Sequence, residues 1–169
     1  GGDPSQLTLD TRKKIFVNFV ERIANNLDNR TVRDNDSIAK ISNKDLEKTF
    51  AYIGGIINGI GGIPIEIGGI TDHIHILASL PKNRSLSDFV RTVKSDSSRW
   101  IKTIDKYYNK FLWQEGYGAF SVSSSSVIKT INYIRNQEKH HKTMTFREEY
   151  KSFLEAYGIQ YDERYAFDD

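Results

Sequence analysis

The chain of 169 residues contains no cysteine, one methionine and only three prolines. Without thiols there is no disulfide framework and no thiolate metal site, so any bound metal would have to sit on His, Asp, Glu, Asn or Gln. No apolar run approaches the roughly 20 residues that cross a bilayer, so no membrane partner is expected. Charge of one sign is not in large excess either. The 24 Lys and Arg against 22 Asp and Glu leave a formal charge of +2, which excludes a wholly cationic surface. Hydrophobic residues at 38% and aromatics at 12% suffice for one domain with a real core and are too many for a disordered chain. The opening GGDPSQ, 1–6, reads as a cloning remnant or a disordered tail. No secretory signal is recognisable, and the cytoplasm is the expected location.

The near-neutral total hides an uneven distribution. Residues 82–110 carry eight basic side chains (Lys82, Arg84, Arg91, Lys94, Arg99, Lys102, Lys106, Lys110) against three acids, whereas 148–169 carry seven acids against two bases. A basic segment in an otherwise balanced chain fits either a local polyanion site or a solvated helix face.

Apolar spacing predicts a helix over 11–27, with Ile15, Phe16, Phe19, Val20, Ile23 and Leu27 on its stripe. Further helices are expected from about residue 44, from a cap at Ser85 or Ser87, after the serine run at 123–126, and over 146–157. LTLDT, 7–11, offers a short strand. GGIPIEIGGI, 61–70, reads as a strand in which Ile63, Ile65 and Ile67 alternate with Pro64 and Glu66. A tight Gly-Gly connection leads from it into TDHIHILASL, 71–80, and FLWQEGYGAFSV, 111–122, reads as extended. This order points to an α+β fold with helices stacked on one face of an antiparallel sheet.

Strand alternation puts His73, His75 and Leu77 on one face and Ile74, Ile76 and Ala78 on the other. The isoleucine face belongs on a core. That leaves two imidazoles together on the opposite face, roughly 6–7 Å apart and close enough to grip one metal ion. Taken alone, the pattern fits a pair of surface histidines as well. On the helix after the serine run, Tyr133 and Gln137 are i and i+4 and rise from one face. Spacing alone makes Tyr133 a core-edge aromatic and Gln137 a surface amide.

Together, His73-Ile74-His75, YIRNQ at 133–137, WQEGYGAFSV at 113–122 and the closing EEYKSFLEAYGIQYDERY resemble the single-tyrosine HUH transposases of small bacterial insertion sequences. The resemblance spans residues 51–167 and extends to the related repeat-associated tyrosine transposases. It implies a ferredoxin-like antiparallel sheet with helices on one face and the HUH strand exposed on the other. It also implies His73, His75 and Gln137 as metal ligands for Mg²⁺ or Mn²⁺, and Tyr133 as the nucleophile. The implied activity is metal-dependent cleavage and rejoining of single-stranded DNA with hairpin ends, through a covalent 5′-phosphotyrosine. A homodimer is implied too, with the tyrosine supplied in cis or in trans. The alternatives are a domesticated nickase that processes repeats and a catalytically silent protein that binds single-stranded hairpins.

Strand binding is then expected on the basic helix, through Arg91, Lys94, Ser98, Arg99 and Lys102. Trp113 and Tyr117 are candidates for stacking on unpaired bases or for a buried aromatic cluster. Within the single domain, 7–169, the region 7–42 departs from the family pattern. Relatives place a strand before the AYIGG helix, where the spacing here predicts a helix.

Overall fold

Seven consecutive residues of the histidine segment are buried, on both faces of one strand. The computed structural model describes residues 13–20, 40–71 and 73–136, with Glu148, Lys151, Ser152 and Glu155. In chain order the elements are β1 (Lys14–Val20), α1 (Asn43–Gly59), β2 (Ile63–Ile70), β3 (His73–Ser79), α2 (Leu86–Ile104), β4 (Gly118–Ser121) and α3 (Val127–Arg135). The strands lie in the order β2-β3-β1-β4, and every neighbouring pair is antiparallel. A β-α-β-β-α-β order laid out this way is the ferredoxin-like arrangement, followed here by one more helix.

Residues 14–20 are a strand, which corrects the helix expected over 11–27. KIFVNFV carries five β-branched or aromatic residues among its seven, a composition suited to a pleated strand. An interior strand covered on both faces reads as a nearly continuous apolar run, and such a run matches helical spacing by accident. β1 is interior: Phe16 lies opposite Leu77 on one side and Phe120 on the other. The strand expected before the AYIGG helix is therefore present. LTLDT, residues 21–27 and most of the helix expected over 146–157 lie outside the described residues.

One face of the sheet, with Ile15, Val17, Ile74, Ile76 and Ala78, receives α1 through Ile53 and Ile57 and α2 through Phe89, Val90, Val93 and Ile101. Each fully buried side chain of this size contributes about 1.5–3 kcal/mol. α2 starts as expected, the Ser85 hydroxyl accepting from the Asp88 N–H at 3.1 Å. In β2 the register shifts between Pro64 and Glu66. Ile65 is the extra residue of a bulge, so the expected alternation fails. Ile67 packs on the core, whereas Ile63 is 36% exposed. The opposite face is not open, contrary to expectation: His73 and His75 are 1% and 0% exposed, and Tyr133 of α3 lies against His75.

A buried acid ties the start of α1 to the short turn, Lys106–Tyr108, that follows α2. The Tyr108 hydroxyl donates to Asp45 Oδ2 at 2.6 Å and the Ser42 hydroxyl donates to the same oxygen at 2.9 Å. The Ser42 N–H donates to the Tyr108 oxygen at 3.0 Å. The Tyr108 hydrogen bond outweighs the opposing effect of burial and, with Ser42 and Lys48, holds the Asp45 carboxyl below its ordinary value of 3.8. Burial and the adjacent carboxylate push the Tyr108 phenol up.

Tyr108→Phe should cost about 1.5–3 kcal/mol at neutral pH, measured by urea unfolding. A carboxyl with a depressed value in the folded state stabilises fully above the ordinary range and stops doing so as pH falls through the folded value. The gap between wild type and variant should therefore narrow in acid. A gap that stays constant down to pH values where the whole carboxylate population is protonated would contradict this assignment.

Candidate active site

Cross-strand partners share a face, so the register of β3 decides what surrounds each histidine. His75 lies opposite Gly68 on β2 and Asn18 on β1, and His73 lies opposite Ile70 and Val20. At Gly68 a Cβ would come within 2.7 Å of Ile134 Cγ2 and 3.2 Å of the Ile134 carbonyl oxygen. The bare glycine lets the last turn of α3 rest directly on the sheet. Glu66, on the same strand, pairs with Arg135 at 3.2 Å. An exposed pair of this kind adds at most about 1 kcal/mol, so the close backbone contact does most of the seating.

With Ile134 seated, Tyr133 turns toward the histidines. Its ring lies 5.5 Å from that of His75 at 72°, and the His75 and His73 rings are 5.1 Å apart at 77°. Phe16 stacks on His75 at 5.3 Å and meets the edge of Tyr133 at 6.2 Å. The Tyr133 hydroxyl and His75 Nδ1 are both shielded from solvent. The fold thus brings together Tyr133, His73 and His75, while Gln137 lies outside the described residues. Phe16 was missed because its segment matched a helix. Gly68 was visible as a glycine, but its reason lies in a helix far along the chain.

Among the described residues no three His, Asp or Glu side chains gather into a metal site. The spacing of the two imidazoles leaves room for a shared ion. A nitrogen-to-metal bond of about 2.1 Å limits two rings on one ion to a centroid separation of about 6.4 Å. The observed 5.1 Å lies inside that limit.

The residues expected to bind DNA divide into two groups. Arg91, Lys94, Ser98, Trp113 and Tyr117 line one groove of about 410 Å³ between α2 and the segment 112–117, whereas Arg99 and Lys102 lie outside it. Lys94 is engaged within the fold: its ammonium donates to the Gln114 carbonyl at 2.7 Å and to the Gly116 carbonyl. Burial pushes its pKa down. Trp113 is 8% exposed, with its indole N–H donating to Ser97 Oγ at 2.9 Å, so it belongs to the buried aromatic cluster. Tyr117 at 42% exposure remains accessible. Arg91 and Arg99 reach solvent, Arg91 hydrogen-bonded to Asp88 and Arg99 paired with Asp96 at 3.7 Å. α2 packs on the face opposite the histidines, which separates this groove from them.

Comparison with known proteins points one way. Residues 32–137 match the family described as transposase IS200-like. Over 85 residues the chain is 28% identical to the ISDra2 transposase TnpA of Deinococcus radiodurans, covering 47% of this chain and 59% of that protein. The fold is similar to that of a REP-associated tyrosine transposase solved bound to a REP hairpin, with a TM-score of 0.53 at 14% identity over 76% of this chain and 68% of that one.

If Gly68 is the seat of α3, Gly68→Ala should cost about 1–3 kcal/mol through overpacking and should shift the ring resonances of His75 and Tyr133 in NMR spectra. Gly55, in the interior of α1, has nothing within 4 Å of a built Cβ. Gly55→Ala should stabilise by about 0.5–1 kcal/mol. Equal stability of the two variants, with unchanged resonances in Gly68→Ala, would contradict the seating.

Proposed function

The chain belongs to the IS200-like transposase family, and on that footing we propose that it cleaves and rejoins single-stranded DNA through a covalent 5′-phosphotyrosine on Tyr133. The observation that supports this most is convergence. A tyrosine from α3 and two histidines from β3 meet ring to ring, at 5.5 and 5.1 Å, beneath one helix.

In the proposed reaction the Tyr133 oxygen attacks the scissile phosphorus. The bond from phosphorus to the 3′ oxygen breaks, that oxygen takes up a proton, and the 5′ end stays on the enzyme as an aryl phosphodiester. A 3′-hydroxyl later attacks the same phosphorus, the bond to Tyr133 breaks, and the phenol is restored. Mg²⁺ or Mn²⁺ held by His73, His75 and Gln137 would polarise the phosphate and stabilise the departing oxygen. Imidazole and amide ligands are neutral, so they leave the charge of the ion for the substrate.

Because both imidazoles are buried, DNA reaches them only when the layer above shifts, and α3 is the described part of that layer. Tyr133 faces the histidines of its own chain, which favours action in cis. Among the described residues no strand pairs the outer edge of β2. That edge supports the expected homodimer, through strand pairing with a second copy. Arg91, Arg99 and Lys102 are the proposed phosphate contacts, and Tyr117 is the proposed stacking residue. The proposed partner is a single strand with hairpin ends, in keeping with the REP hairpin held by the structural relative. No helix among the described residues is long and apolar enough to cross a membrane, and a cytoplasmic encounter with DNA is proposed. The same chemistry serves mobilisation of an element and processing of chromosomal repeats.

Incubation with hairpin-bearing single-stranded DNA and Mn²⁺ should yield a covalent protein–DNA band on a denaturing gel. Tyr133→Phe removes one hydroxyl and should abolish the band while leaving folding and DNA affinity intact. His75→Ala should lose Mn²⁺ binding as well as the band. A band of normal yield from Tyr133→Phe would refute the nucleophile.

A further inference from the structure

We propose that Phe16 is a fixed apolar wall that keeps water from the phosphotyrosine, so that the intermediate is rejoined to a strand rather than hydrolysed. The proposal rests on the covalent chemistry assigned to Tyr133. Phe16 is fully buried and touches both partners of that chemistry, stacked on His75 at 5.3 Å and edge-on to Tyr133 at 6.2 Å. Although buried, it is not part of the core cluster formed under α1 and α2. It lies on the other face of the sheet, among the groups proposed to act.

Two further apolar side chains stand on this face. Leu77, opposite Phe16 in register, is fully buried, and Ile134 closes the β2 side over Gly68. A water molecule held in such a place needs two to four polar partners, which these side chains do not offer. Phe16 also differs from α3 in what can move it. β1 is hydrogen-bonded on both edges, with Phe16 opposite Leu77 and Phe120. A shift of α3 that admits DNA leaves the sheet intact, and the Phe16 wall stays in place.

Two nucleophiles compete for the aryl phosphodiester. If a 3′-hydroxyl attacks, a bond from its oxygen to phosphorus forms, the bond from phosphorus to Tyr133 breaks, and the hydroxyl proton passes to the phenolate. If water attacks, the same bond to Tyr133 breaks, but the product is a free 5′-phosphate and the strand cannot be rejoined. The two routes have nearly the same chemistry, so access decides between them. Closing a site against water is a general means of preventing hydrolysis of a reactive intermediate.

The test is partition of the adduct in H₂¹⁸O, reading ¹⁸O in the 5′-phosphate and the yield of rejoined strand by mass spectrometry. Phe16→Ala should raise the hydrolysed fraction about tenfold, Phe16→Val should raise it by a smaller factor, and Phe16→Leu should stay near wild type. Adduct formation should change much less than partition. Phe16→Val keeps a good strand former, so it remains informative if Phe16→Ala does not fold. An unchanged hydrolysed fraction in folded Phe16→Val would overturn the proposal. So would a folded variant that forms no adduct, because Phe16 would then be needed for the chemistry itself. If wild type forms no adduct, the assignment of Tyr133 fails, and the wall fails with it for that separate reason.

Discussion

Hydrogen bonding of β3 to β1 on one edge and to β2 on the other fixes which way each of its side chains points. A slip of one residue would send Ile74 and Ile76 out of the core and the two imidazoles into it. The isoleucines resist that slip, since both are fully buried beneath α1 and α2. The core therefore enforces the placement of His73 and His75 from the opposite face. Buried polar rings have to be satisfied by partners, and Leu or Val would fill the same space with no polar group to satisfy. A site that binds an ion or a phosphate gives such an arrangement a purpose that packing does not.

The histidine face of the sheet is built from contacts with little redundancy. Gly68 seats the final turn of α3, the seat aims Tyr133 at His75, and Phe16 fills the space on the β1 side. The basic groove beside α2 belongs to the other layer. Under the proposed function, a strand held at both places would pass around the sheet, and affinity and chemistry would rest on different parts of the molecule. Lys94 also has a role inside the fold: its ammonium fastens the wall of the groove by binding two backbone carbonyls.

Much of this was legible in the amino-acid order, and the exceptions share a cause. HIHILAS announces its two faces because alternation is a local property. The cap at Ser85 and the apolar stripe of α2 are local as well. β1 was not legible, because Ile15, Phe16, Phe19 and Val20 satisfy helical spacing as well as strand pairing, and its partners lie far along the chain, in His73–Ser79 and Gly118–Ser121. The bulge at Ile65 depends on register with β3, which no local pattern reports. The cover over the histidines depends on a glycine in one element and an isoleucine in another. Tyr133 and His75 were linked by family resemblance alone, since spacing made one a core-edge aromatic and left the other open between ligand and surface histidine.

The central claim is that one side chain, Tyr133, takes up the 5′ end of the DNA. The most direct measurement is tandem mass spectrometry of wild-type protein after reaction with single-stranded DNA and Mn²⁺, followed by nuclease trimming and proteolysis. The account predicts a residual nucleotide joined through phosphate to the Tyr133 oxygen in the peptide that contains YIRN. A nucleotide on any other tyrosine or on a serine of the 123–126 run, or cleavage that leaves every peptide unmodified, would contradict it.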